Sequence, residues 1–202
     1  LYMYGVVVRD IRRYGGGSNN SVEFKQLNYQ STEGHGQSAV IPAAYFILLK
    51  ACALCPLNWS CWLELADVCL VERAPLPFHE SELMAIMQCF STGTTMNTPM
   101  EGVDLAVSQI LFNFLNPHDA EIFRVVGLCF IVHVYLEQQI GDRALEILQS
   151  YLLPIFPNSQ IIQSNIATAY YINRDYNVAQ QCFELSREKD PYRMECIDTY
   201  SN

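Results

Sequence analysis

Apolar positions recur at helical spacing through most of the chain, and short polar or proline-bearing stretches interrupt them at even intervals. Near the carboxyl end, Ile166-Ala167-x-x-Tyr170 predicts one helix and Ala179-x-x-x-Phe183-x-x-Ser186 a second. Between them Asn173-Arg174-Asp175 reads as a polar turn, with Asp175 as cap of the second helix, and Pro191 stops it. The same pattern stands 35 residues earlier, where Tyr135, Ala144 and Leu148 occupy the places of Tyr170, Ala179 and Phe183. Phe156-Pro157 then falls close to the place of Pro191. A constant offset across two helices is not a chance match of apolar residues.

Earlier units follow the same grammar. Trp62, Leu65 and Ala66 open a first helix, and Ala44, Leu48, Ala51 and Pro56 carry the spacing of a second helix before it. Tyr4-Gly5-x-x-Val8 reads as the first helix of that earlier unit. Pairs of helices with Trp, Leu, Gly, Tyr, Ala, Phe and Pro at set places over about 34 residues are the tetratricopeptide pattern. The expectation is therefore an all-α fold, a tetratricopeptide-repeat (α-α) superhelix of about four helix-turn-helix units. Small Ala44, Ala66, Ala167 and Ala179 belong where helices cross closely, and large Trp62, Tyr135, Tyr170 and Phe183 fill the space between pairs.

Three regions are expected. Residues 1–71 hold repeat units with a flexible insertion at about 12–40, rich in Gly and Ser around Gly15-Gly16-Gly17. This insertion lacks the Lys-Ser/Thr pair of a phosphate loop, and its Ser18, Ser21 and Thr32 are open to kinases. Residues 72–123 are an irregular helical insertion: Pro75 and Pro77 end the helix begun near Trp62, Ser81 caps a short helix to Phe90, Ser91 to Gly102 is a polar loop, and Val103 to Leu115 is helical. Asn116-Pro117 closes that segment and Asp119 opens the helix that runs to Glu137. Residues 124–202 return to repeat units, the last one truncated, and both ends of the chain read as cut from a longer protein.

Composition narrows the function. The net charge of −9 disfavours nonspecific nucleic-acid or anionic-membrane binding and favours basic segments of other proteins. The longest apolar run, Val125 to Leu136, contains His133 and is shorter than a membrane span of about 20 residues. Eight cysteines are scattered along the chain. Cys52, Cys55, Cys61 and Cys69 invite a zinc reading, but no histidine lies nearby and the second Cys-x-x-Cys is missing, so small buried apolar roles in a reducing setting are expected. No nucleophile elbow, zinc-protease helix or dinucleotide loop is present, and a cysteine with His133 lacks the electropositive setting of an activated thiolate. The expectation is no enzyme, no metal and no cofactor.

The working surface of such an array is its concave face, lined by first helices. Its candidate residues are Glu64 and Asp67 in one unit, Phe130, His133 and Glu137 in the next, and Asn165, Thr168 and Tyr171 in the last. Glu64, Asp67 and Glu137 are expected to form an acidic strip for an arginine in an extended peptide, against the alternative of ordinary solvated carboxylates. Capture of a peptide carboxylate is disfavoured, because only Asn165 of the required Lys, Asn and Arg set is in place.

Several stretches point to one family. Leu1-Tyr-Met-Tyr-Gly-Val-Val-Val8, Pro56-Leu-Asn-Trp-Ser-Cys-Trp-Leu-Glu-Leu65, Asn173-Arg174-Asp175, Asp190-Pro191-Tyr192-Arg193 and Asp198-Thr199-Tyr200-Ser201-Asn202 resemble the eighth subunit of the anaphase-promoting complex, the cell-division-cycle protein twenty-three family. The resemblance covers residues 1–11, 41–71 and 124–202. It implies a non-catalytic scaffold of a ubiquitin ligase in mitotic control, in nucleus and cytoplasm. Other complex subunits and coactivator peptides are the implied partners, and a homodimer is implied for the full-length protein. A generic repeat adaptor in another assembly is the alternative.

Overall fold

The computed structural model describes residues 1–7, 42–85 and 105–192, and these are helices and short turns with no strand among them. The helices are 2–7 (α1), Ala43–Leu54 (α2), Trp59–Val71 (α3), 80–85 (α4), Leu105–Phe114 (α5), Ala120–Glu137 (α6), Gly141–Ile147 (α7), Leu153–Ile155 (α8), Gln160–Ile172 (α9) and Tyr176–Lys189 (α10). The fold class is all-α and of tetratricopeptide type. The chain divides into two compact units, Leu1–Val126 and Gly127–Asn202. The expected insertion at 12–40 with Ser18, Ser21 and Thr32, the polar loop 91–102, and the run from Asp198 to Asn202 lie outside the described residues.

Unit 1 is built around α2, which packs against both α3 and α5. The four expected crossing alanines, two of them in this unit, are all buried. Gly5 brings α1 onto α2: a methyl there would come within 2.8 Å of the Leu48 side chain. Trp62, Phe78 and Phe123 form a fully buried aromatic triangle, with centroids 5.2 to 6.4 Å apart and tilted or edge-on rings. Such arrangements set the positive edge of one ring against the negative face of another. The Trp62 indole N–H donates to the Pro56 carbonyl at 2.8 Å, so the buried ring leaves no orphan donor. The Lys50 ammonium lies 3.7 Å from the centre of the Phe114 ring, joining α2 to α5.

Unit 2 shows the repeat in its backbone hydrogen bonds. At the end of α6 the N–H of Ile140 reaches the carbonyl of Tyr135 (2.8 Å) and that of Gln139 reaches Leu136 (3.0 Å). At the end of α9, 35 residues on, Asp175 reaches Tyr170 and Arg174 reaches Tyr171, both at 3.0 Å. These paired bonds make the Schellman ending, which needs a left-handed residue after the helix. Gln139 and Arg174 supply it, with φ of 61° and 66°. The next helices, α7 and α10, begin at equivalent places.

The offset then drops by one. Phe156 corresponds to Asp190, 34 residues apart, so one extra residue lies between Leu148 and Phe156. The helix absorbs it as a π-helical stretch, Leu148–Leu152, in which the N–H of Leu153 reaches back five residues to Leu148. Pro154, which has no N–H to give, follows directly.

The proline stops also match. Cys55, Phe156 and Asp190 each end a second helix, each precedes a proline, and each has left the helical region (φ −143°, −128° and −141°, with ψ 77°, 65° and 87°). Steric conflict with the proline ring drives the preceding residue out of the helical region. Their N–H groups all close on the carbonyl four residues back.

Capping differs from the sequence expectation in three places. Asp175 stands at the N-cap of α10, but its side chain makes no capping bond. α4 begins before Ser81: the His79 N–H is taken by the Glu82 carboxylate at 2.8 Å, a bond that residue types one place further on did not advertise. The helix ending at Glu137 opens through a 3-10 turn, Pro117–Asp119, in which Asn116 and not Asp119 caps, its side-chain Oδ1 accepting the His118 N–H at 3.1 Å.

Candidate functional site

The first helices of the repeats carry the residues that the sequence singled out, and their register is fixed by the inter-repeat turns. In unit 1, Pro56 O accepts from the Trp62 side chain; in unit 2, Pro157 O accepts from the Gln163 side chain at 3.1 Å. In both turns the donor lies six residues after the proline. Trp59 and Gln160 therefore open α3 and α9 at the same point of the motif. It follows that Glu64 and Asn165 hold equivalent positions, as do Asp67 and Thr168.

Glu64 and Asp67 are half-buried and three residues apart, so α3 presents both carboxylates on one face. In unit 2, Asn165, Thr168 and Tyr171 are half-buried on one face of α9. The Thr168 hydroxyl donates to the Ser164 carbonyl of its own helix at 3.0 Å, which uses its proton locally. The Tyr171 ring meets Tyr176 edge-on at 5.7 Å, so the polar face ends in an aromatic pair. On α6, His133 is half-buried and Glu137 is exposed.

Phe130 differs from its companions: it is 0% exposed. It offers no surface to a peptide and is a packing residue. The reason is its helix, whose residues Leu128, Phe130, Ile131, Val132 and Val134 are all buried, so α6 is covered on more than one face. Sequence spacing gave the phase of that helix but not how completely it is enclosed.

Sequence reading also missed the ties that hold the α9 face in place. Asn173 donates to the Asp142 carboxylate at 2.8 Å, linking the end of α9 to the start of α7. The Gln149 amide donates to the Tyr170 hydroxyl at 3.0 Å. Ser186 and Lys189 of α10 donate to Gln160 and Gln163 of α9, at 3.1 and 3.0 Å. Polar residues at one-turn spacing on facing helices were the available signal.

The thiols are not tuned alike. Burial pushes Cys129 and Cys182 up, and pushes Cys69 to about 12, with its S–H directed at the Pro75 carbonyl at 3.6 Å. These shifts suppress thiolate, the reverse of what a nucleophile needs. Among the described residues no group of three or more His, Cys, Asp or Glu is placed to hold a metal, and no helix is long and apolar enough to cross a membrane.

Curated proteins match most or all of this chain. Cell division cycle protein 23 homolog of Homo sapiens is 25% identical over 202 residues, which is 100% of this chain and 22% of that protein. The chain is homologous to the CDC23 proteins. Anaphase-promoting complex subunit CDC23 of Saccharomyces cerevisiae is 29% identical over 169 residues, 82% of this chain and 23% of the yeast protein. Anaphase-promoting complex subunit 8 of Dictyostelium discoideum is 24% identical over 161 residues, 77% of the chain and 20% of that protein. The chain thus spans about a fifth of the length of these CDC23 relatives. No protein-family model matches it, and no solved structure does.

Proposed function

We propose that this chain is a non-catalytic tetratricopeptide segment of an anaphase-promoting complex scaffold subunit, acting in mitotic control in nucleus and cytoplasm. The observation that carries this reading is the similarity to CDC23 relatives over 77 to 100% of this chain, two of which, from yeast and Dictyostelium, are named as anaphase-promoting complex subunits. The helix pairs support it, since their partly exposed, polar first-helix faces suit the holding of extended segments. The division into residues 1–71, 72–123 and 124–202 belongs to the same reading, as does a homodimer of the full-length protein.

Coactivator and accessory peptides are the proposed ligands of the first-helix face. Glu64 and Asp67 are proposed to pair with an arginine, because two carboxylates on one helix face match the guanidinium fork. Tagging the protein in its own cells and identifying co-purified proteins tests the assignment. Recovery of other subunits of the complex is the expected result; a clean preparation without them defeats it.

A further inference from the structure

We propose that Cys52, Cys55 and Cys61 form a thiol relay, in which Cys55 takes up a peroxide oxidant and the end product is a Cys52–Cys61 disulfide across the junction of α2 and α3. The argument begins with placement. Residues 55–58 join the two packed helices, and Cys52 and Cys61 stand three residues from the turn on either side. Positions equally far from the turn of an antiparallel helix pair lie opposite one another. Both side chains are buried there, at 0% and 2% exposure. Their thiols share a hydrogen bond, which lowers Cys61 from its ordinary value; burial first, and then that bond, raises Cys52. Cys52 is therefore the donor and Cys61 the readier thiolate.

The turn holds these sulfurs together. The Cys55 N–H bonds Ala51 O and the Cys61 N–H bonds Asn58 O, both at 3.0 Å, and the Trp62 indole fastens Pro56. Cys55 is exposed and lies one helical turn beyond Cys52, close enough for its charge to act on that thiol. One member of the group thus meets solvent, and the other two are shielded from it.

The chemistry balances. The Cys55 thiolate attacks hydrogen peroxide, the O–O bond breaks, and a sulfenic acid forms as hydroxide leaves and is protonated to water. The Cys52 thiol passes its proton through the shared hydrogen bond to the Cys61 thiolate and on to the departing hydroxide; its sulfur attacks the sulfenic sulfur, a second water leaves, Cys61 is again a thiolate, and a Cys52–Cys55 disulfide forms. The Cys61 thiolate then attacks the Cys52 sulfur, and Cys55 departs and is protonated. In sum Cys52 and Cys61 lose two electrons and two protons to one peroxide, which becomes two waters. The product fixes the angle between the second helix of one pair and the first helix of the next. In a reducing compartment such a bond is a transient signal and not a permanent staple.

The test treats the reduced full chain with hydrogen peroxide, alkylates it in denaturant, and maps disulfides by peptide mass spectrometry. A Cys52–Cys61 peptide with Cys55 alkylated is expected. Cys55→Ser, at an exposed site, slows its appearance by about tenfold or more, because the two thiols of the group that remain are both shielded from oxidant. Cys61→Ser halts the sequence at a Cys52–Cys55 link. Absence of the Cys52–Cys61 peptide overturns the proposal, and so does its formation at the wild-type rate in Cys55→Ser. Circular dichroism of each variant verifies that helix content is retained.

Discussion

Single residues decide how closely these helices approach. Gly141 opens α7 against the end of α9, and a methyl added there would lie 2.7 Å from the Ala169 carbonyl oxygen. That neighbour is backbone and cannot swing aside. Gly141→Ala is therefore expected to lower stability by about 1–3 kcal/mol, read from urea unfolding, with Arg143→Ala on the exposed side of α7 as a near-neutral control. Cys69 gives a pH test. Its folded value is raised to about 12 from 9.0 by burial, so the folded state holds a proton that the unfolded state sheds. Its contribution is complete below the unfolded thiol value and is lost as pH climbs toward the folded one. Stability should fall from about pH 9 toward about pH 12, and Cys69→Ala should flatten that decline; an equal slope in both proteins refutes the assignment. The crossing alanines were legible in the sequence because their spacing repeats. Gly141 was not, because its partner is a carbonyl 28 residues away in sequence, brought close only by packing.

At the scale of elements, the turns repeat more faithfully than the side chains. Left-handed Gln139 and Arg174 end successive first helices in one geometry, although neither is the glycine that usually serves there. The π-helical stretch is the visible trace of one surplus residue. Deleting exposed Ser150 should convert it to ordinary α-helix and leave Phe156-Pro157 in place. A melting temperature preserved or raised, by circular dichroism, is the expected outcome; loss of cooperative unfolding would show that the widened turn is required. The helix pairing was legible because proline stops and polar turns fall at fixed intervals. The caps were less so: Asp175, Ser81 and Asp119 were the favoured residue types, yet neighbouring side chains won the backbone donors at α4 and at the 3-10 turn. Several residues near a helix start can cap it, and local sequence does not rank them.

For the molecule as a whole, charge and surface matter most. A chain of net charge −9 with two carboxylates on one face of α3 should hold arginine-bearing peptides, and more weakly as salt screens the attraction. Glu64→Gln with Asp67→Asn is expected to weaken such a peptide about tenfold by fluorescence anisotropy, in the range of one charge-assisted pair. Unchanged affinity would leave these carboxylates as solvated surface groups.

The candidate face was partly legible. Spacing alone put Glu64 with Asp67, and Asn165 with Thr168 and Tyr171, on shared helix faces, because a helix repeats every 3.6 residues whatever surrounds it. By itself the sequence settled the helical class, the register of the repeats and the kinship with CDC23, all properties of pattern along the chain. Tertiary structure alone decided that Phe130 is enclosed, that Asp142 and Asn173 join α7 to α9, and that Cys52 faces Cys61. Burial and cross-helix contact depend on which faces meet, and that is fixed by packing in three dimensions and not by order in one.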